Sequence, residues 1–258
     1  MNNSFAVFGL RTGLIKSGDS IADCMIAAAQ QACDGFKDGD ILVLAETAVA
    51  TAEGNVIPLS SITPSAWAEK LAAQYQMDPR VVEVVLQETD SVVGGISGFL
   101  LCMKNGTLLP NAGVDASNAP LGCVTPLPEN PDRSALAIKK AIETRCNAKV
   151  GVIIADSRTH AMRRGCSAVA IGAAGVTAVI DERGRSDLFG RTLEVTKRAV
   201  ADNIASAAEL VMGEADESTP GAVIRGLGMP IGDQTGIETI SAEECLFMGL
   251  LRKTNNPG

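Results

Sequence analysis

Basic charge, aromatic rings and paired cysteines are all scarce in this chain. Lys and Arg number 22 against 30 Asp and Glu, a net charge of −8, so the global field does not favour nucleic acid. An anionic ligand would need local arginines, backbone amides or a divalent cation. Aromatic residues are 3% of the sequence, which leaves few rings to stack on a flat ligand; Phe189, in DLFGR, is one, although packing is its plainer role. The seven cysteines (Cys24, Cys33, Cys102, Cys123, Cys146, Cys166 and Cys245) contain no C-x-x-C pair, which argues against zinc and against a disulfide framework. No apolar run reaches the roughly 20 residues that span a bilayer, and MNNSFAVFGL has no basic region leading into a long apolar stretch. A reduced, cytoplasmic protein without membrane or nucleic-acid partners is expected. No repeat or flexible linker interrupts the chain, so residues 1–258 read as one unit.

What is present describes a folded chain: 46% hydrophobic and 20% charged residues over 258 positions, enough for a sizeable core. Only the polar end, Thr254 to Gly258, reads as frayed. Helix and strand signals alternate. An Ala-rich helix is expected over Ser20 to Cys33, capped by Asp19 or Ser20 and ending near Gly35. A buried strand follows over Ile41 to Ala45. Pro64 and Pro79 open helices through Gln74 and Glu88, the first with Trp67, Leu71 and Tyr75 at helical spacing. Phe99 to Met103, the Asn105-Gly106 turn and Thr107 to Leu109 form a hairpin. A helix from about Arg133 to Arg145 precedes the apolar strand Val150 to Ala155, which suits burial on both faces. In AVAIGAAGV, Gly172 and Gly175 suit close backbone packing, and that stretch has no phosphate-loop signature. Leu193 to Met212 reads as one helix, followed by an acidic loop, a strand in AVIRGL and a helix near Ala242 to Lys253. The fold class is α+β, mixed sheets with packed helices.

Two polar runs stand out. NAGVDASN, Asn111 to Asn118, places a carboxylate and two amides among small residues, and ADSRTHAMRRG, Ala155 to Gly165, puts Asp156 and Ser157 at the end of a buried strand. Two acidic loops at strand ends point to one metal-dependent site.

Together with the DLFGRTLEVTKRAVAD stretch and ELVMGEADE, these runs resemble the coenzyme F420-0 gamma-glutamyl ligase family. GLIKSGDSI, DGDILVL, AEG (Ala52 to Gly54), DPRVVEVVLQET and NPDRSA extend the resemblance over nearly the whole chain. It implies an acid–amino-acid ligase that uses GTP and two divalent cations, Mn²⁺ or Mg²⁺, with K⁺ a further candidate. The substrates would be L-glutamate and an F420-0-like acceptor, and the protein would be a homodimer with the family's own fold. It would place metal ligands at Asp115, Asp156, Ser157 and Glu214, a set of hard oxygen donors suited to such ions. An Asx turn at Asp115 and a helix cap at Asp156 are the structural alternatives. Nucleotide contacts would fall on Arg11, Thr12, Gly13, Leu14, Ile15, Glu46, Thr47, Thr51 and Asn118, and on the loop Met212, Gly213, Ala215, Asp216, Glu217, Ser218 and Thr219.

The chain departs from the family pattern at three places. Thr51 stands where a lysine usually precedes AEG, removing a point charge suited to phosphate. Glu46 replaces a small hydroxyl residue. The usual D-[ST]-x-G-R becomes Asp156-Ser157-Arg158-Thr159-His160, followed by Arg163 and Arg164. Arg158 and Arg163 are candidates to clamp glutamate or an acyl phosphate, Arg164 reads as surface, and His160, the sole histidine, is a candidate for a substrate or proton role. Two other readings stay open: a nucleotide-dependent amide ligase with a different acceptor or nucleotide, and a non-catalytic nucleotide- or metal-binding paralogue.

Overall fold

The continuous apolar runs ILVLA and GVIIA decide the architecture, because both faces of those strands must be covered. The computed structural model describes residues 4–249. In chain order the elements are β1 (Ala6–Leu10), α1 (Ile21–Cys33), β2 (Ile41–Ala45), α2 (Glu46–Ala52), β3 (Ile57–Pro58), α3 (Ala66–Tyr75), α4 (Pro79–Glu88), β4 (Ser91–Ile96), β5 (Phe99–Lys104), β6 (Thr107–Pro110), β7 (Cys123–Val124), α5 (Pro131–Cys146), β8 (Gly151–Thr159), β9 (Cys166–Ala174), β10 (Val179–Asp181), β11 (Lys197–Ala199), α6 (Val200–Met212) and β12 (Gly221–Arg225). The α+β class is as the sequence indicates.

The chain falls into two compact units: residues up to Ile57 with Asp115–Ile237, and Pro58–Val114 with the residues from Glu238 on. The first is built on a five-stranded sheet of order β1-β12-β2-β8-β9, in which β2 and β8 are parallel and every other pair is antiparallel. One face, with Leu42, Leu44, Val152, Ile154 and Val223, packs on α1 and α5. The other, with Ile41, Val43, Ile153, Ala222 and Ile224, packs on α6. Helix starts follow capping chemistry: the Ser20 hydroxyl accepts from Asp23 N, and Asn130 Oδ1 accepts from Arg133 N. The second unit holds α3, α4 and the meander β4-β5-β6, where Asn105 and Gly106 both take positive φ in the β5–β6 turn.

Four local expectations change. The helix expected from Leu193 begins at Val200, because Lys197–Ala199 instead pairs with Val179–Asp181 and Arg198 meets Glu182 at 2.7 Å. The loop expected after Ala155 is strand to Thr159, since β9 pairs with β8 past a bulge at Ile154/Ala155. The helix expected from Pro64 starts at Ala66, capped by Ser65, and Trp67 faces solvent while Leu71 is buried. Phe189 does not pack; it is 86% exposed. At the C-terminal end a helical turn covers 246–249, and the remaining stretch expected as helix, with the polar end after it, lies outside the described residues.

Gly172 meets the sequence expectation of close packing. A Cβ there would stand 2.5 Å from the carbonyl carbon of Pro131, at the start of α5, and the neighbouring Ala173 N donates to Asp132 Oδ1 at 2.9 Å. Backbone cannot step aside as a side chain can. Gly172→Ala is therefore expected to destabilise the protein by roughly 2–3 kcal/mol, read as a lower urea midpoint at unchanged slope. An unchanged midpoint would show that α5 moves freely on β9.

Candidate active site

Parallel pairing of β2 with β8 sets Ala45 opposite Ala155, so the next residue on each strand, Glu46 and Asp156, arrives at the same end of the sheet. Glu46 opens α2 and accepts a hydrogen bond from Thr47 Oγ1 at 2.7 Å. Asp156 continues β8 and is bound by Arg158 Nε at 3.1 Å, with both side chains largely buried. It caps no helix. Asp115 is exposed, pairs backbone-to-backbone with Thr125, and accepts from Ser117 N at 2.9 Å, so the Asx turn is present. That turn leaves the second carboxylate oxygen unengaged by it and does not exclude a ligand role.

The loop after α6 completes the cleft. Gly213 has φ +74° and ψ −178°, a backbone region essentially reserved to glycine, and from it the chain turns to present Glu214. Glu217 then accepts from Ala215 N at 2.8 Å, and Ser218 O accepts from Thr12 N at 2.9 Å, tying this loop to residues 11–15.

The resulting cleft has a volume of about 400 Å³. Glu46, Asp115, Asp156, Glu209, Glu214, Asp216 and Glu217 line it, and among the described residues no lysine, arginine, histidine or aromatic side chain does. Three of these carboxyls are held above the usual carboxylate range. Burial first, and then the charge of Asp156, push the Glu46 carboxyl up to about 8. Burial also raises Asp156, against the pull of Arg158, and raises Glu214, helped by the Glu209 carboxyl beside it. A divalent cation bound by these oxygens would relieve that field, and Asp115, Asp156, Ser157 and Glu214 are the hard donors a Mg²⁺ or Mn²⁺ ion prefers.

These shifts have a sign. A carboxyl raised in the folded state binds its proton more tightly folded than unfolded, so the associated stability is complete at pH about 4 and is lost as pH rises toward 8. One pKa unit is about 1.4 kcal/mol. The metal-free protein is therefore expected to melt on the order of 5–10 °C lower at pH 8 than at pH 5.5, with most of the difference removed by Mn²⁺. Differential scanning fluorimetry across that range tests this, and a flat metal-free profile would contradict it.

Of the residues singled out from sequence, the cleft gathers Thr12, Gly13, Leu14, Ile15, Glu46, Thr47, Thr51, Asp115, Asn118, Asp156, Ser157 and all of Met212 to Thr219. Arg11 does not line it. Neither do Arg158, His160 and Arg163: Arg158 reaches the cleft through Asp156, while His160 Nε2 meets Ser167 Oγ at 2.7 Å near the β8–β9 turn, where Arg163 is exposed. Sequence reading missed Ser117 and Glu209. Glu209 sits in an otherwise apolar helical stretch, AAELVM, and a lone acid there was the available signal.

A sequence model of the F420-0:Gamma-glutamyl ligase family matches residues 9–226. The coenzyme F420:L-glutamate ligase of Methanopyrus kandleri is 45% identical over 214 residues, 83% of each chain. That of Methanocaldococcus jannaschii is 41% identical over 239 residues, 92% of this chain and 94% of the relative, and that of Archaeoglobus fulgidus 39% over 240 residues, 93% of each.

Proposed function

Because the chain belongs to the F420-0:gamma-glutamyl ligase family, and so is a ligase acting on small molecules, we propose that it joins L-glutamate to the carboxylate of coenzyme F420-0 at the expense of GTP. The observation that carries the reading is the β2/β8 register, which brings Glu46 and Asp156 together in a cleft with Asp115 and Glu214 and no basic side chain. A phosphate cannot enter such a cleft without cations.

In this reaction an acceptor carboxylate oxygen attacks the γ-phosphorus of GTP, the bond to the β-phosphate oxygen breaks, and GDP leaves. The glutamate amine then attacks the acyl carbon, the amide bond forms, inorganic phosphate departs and the amine proton passes to solvent. No protein nucleophile is needed; positioning and electrostatics supply the rate. Two divalent cations, when bound, neutralise phosphate charge and polarise the γ-phosphoryl group. Asp115, Asp156, Ser157 and Glu214 would hold them. Arg158 fixes Asp156 in direction. Residues 12–15 and 212–219, tied together through Thr12 N, supply backbone for the nucleotide. Glu46, whose carboxyl burial and the charge of Asp156 push up in the metal-free chain, is placed in the cleft to hydrogen-bond a ribose hydroxyl of the nucleotide. Arg163 and His160, outside the cleft, are left for glutamate or acceptor.

The test combines purified protein with GTP or ATP, Mn²⁺ or Mg²⁺, with and without K⁺, glutamate and F420-0, and follows the product by mass spectrometry. A GTP-dependent gain of one glutamate supports the reading. Thr51, in place of a lysine, favours one rival, an amide ligase with another nucleotide or acceptor, and nucleotide cleavage without glutamyl transfer would select it. Metal-dependent nucleotide binding without turnover would select a non-catalytic role.

We also propose a cytoplasmic homodimer. No helix among the described residues is long and apolar enough to cross a membrane. Leu188 and Phe189, in the segment between β10 and β11, are 100% and 86% exposed, and Val195 is exposed with them, an apolar tip suited to a second copy. Replacing both Leu188 and Phe189 by Asp is expected to convert the dimer to monomer in light scattering after size exclusion. A dimer that persists would place the interface elsewhere.

A further inference from the structure

Pro126 steers the residue before it into extended backbone, and Thr125 uses that conformation to pair with Asp115 across one antiparallel bridge. Asp115 N donates to Thr125 O at 3.0 Å, and Thr125 N donates to Asp115 O at 2.7 Å. Directly opposed residues of such a pair send their side chains to the same face, with Cβ atoms about 4.5–5.5 Å apart. The stretch that carries Thr125 is fixed, because Val124 and Leu127 are buried and Asn55 Nδ2 donates to Leu127 O at 2.8 Å. Thr125 itself is 2% exposed, yet its hydroxyl has no hydrogen-bond partner. A buried hydroxyl in that state costs stability. On the same face, Asp115 Oδ1 accepts from Ser117 N, and no hydrogen bond among the described residues reaches Oδ2.

We propose that Thr125 is a positioning residue for Asp115, its hydroxyl donating to Asp115 Oδ2 when a divalent cation draws that carboxylate into the cleft. The inference rests on the reading that Asp115 holds such a cation. Ser117 N on Oδ1 and the Thr125 hydroxyl on Oδ2 then fix the plane of the carboxylate. Each oxygen accepts more than one bond, so both keep a lone pair for the ion. Thr125 suits the task, since a β-branched side chain is stiff about its first torsion. The cost of the orphaned hydroxyl falls on the metal-free state alone, so cation binding removes it.

Thr125→Val keeps the shape of the side chain and deletes the hydroxyl. In chelator-treated protein it is expected to leave the melting temperature unchanged or raise it. Mn²⁺ affinity, read from the electron paramagnetic resonance signal of free Mn²⁺, should nevertheless fall about tenfold or more. Thr125→Ser, which retains the hydroxyl, should keep the affinity of the parent. In an Asp115→Ala background Thr125→Val should lower affinity no further, because the acceptor it serves is gone. A Thr125→Val variant that binds Mn²⁺ as the parent does, or one whose loss persists undiminished without the Asp115 carboxylate, overturns the proposal. So does a lower melting temperature of the metal-free variant, which would make the hydroxyl structural. Glutamyl transfer in a protein whose Mn²⁺ affinity ignores Thr125→Val leaves the ligase reading standing and removes this one; affinity that follows the hydroxyl in a protein that transfers no glutamate does the reverse.

Discussion

Asp156→Asn is expected to cost about 10³-fold or more in glutamyl transfer, while leaving the metal-free protein at least as stable at pH 8. Loss of activity follows from removing the carboxylate that both the β2/β8 register and Arg158 hold in place at the cleft. The stability half follows from electrostatics. Despite Arg158, burial and the charges of Asp115 and Glu214 make ionised Asp156 unfavourable, so a neutral isostere gives up less than it gains. Arg158 is not stranded, because its charge also acts on Asp202, whose carboxyl anchors Ala170 N at 3.0 Å. Parallel measurement of turnover and melting temperature decides the matter. Transfer retained within tenfold would remove Asp156 from the metal set, and a large loss of stability would make its role structural.

Arg225→Met carries the largest expected effect on stability, about 3–5 kcal/mol. Asp40 is 1% exposed, and Arg225 grips it with two bonds, Nε to Oδ1 at 2.9 Å and a terminal nitrogen to Oδ2 at 2.7 Å. The same guanidinium donates to the carbonyls of Cys33 and Gly35 at 2.7 and 2.6 Å, closing the end of α1, and lies over the Phe8 ring. Removing it leaves a buried carboxylate without its cation and two carbonyls without donors. The melting temperature should fall by on the order of 10 °C. Arg225→Lys should rescue little, because an ammonium cannot make the forked contact, whereas adding Asp40→Leu to Arg225→Met should recover part of the loss. Equal stability of the single variant and the parent would show that the pair contributes nothing net.

Much of the frame was legible because local chemistry and burial agreed. The cap at Ser20, the proline at the start of α4, the Asn105-Gly106 turn and the apolar runs of β2 and β8 each specify an element within a few residues. The stretch before Val200 misled because helical spacing continues backward through Leu193, while the strand pairing of Lys197–Ala199 depends on a partner some 18 positions away. β8 ran past its apolar run for the same reason: its polar half is held by β9, not by its own composition. In the site, the acids in strand-end and glycine-turn contexts were readable. Glu209 was not, since a helix acid is ordinarily a solvated one, and only the neighbouring loop makes it face Glu214.

Sheet order carries a consequence for synthesis. β12, the last strand of its sheet to be made, occupies the position between β1 and β2, so Ala6 waits for Arg225 and Ile41 for Ile224. Until residue 225 clears the ribosome, both flanking strands present unpaired edges, and assembly by such distant pairings is slow. The nascent chain therefore passes most of its translation unable to close its own acidic cleft, and a chaperone that shields strand edges would find its longest-lived target in the segment from Ala6 to Ala45.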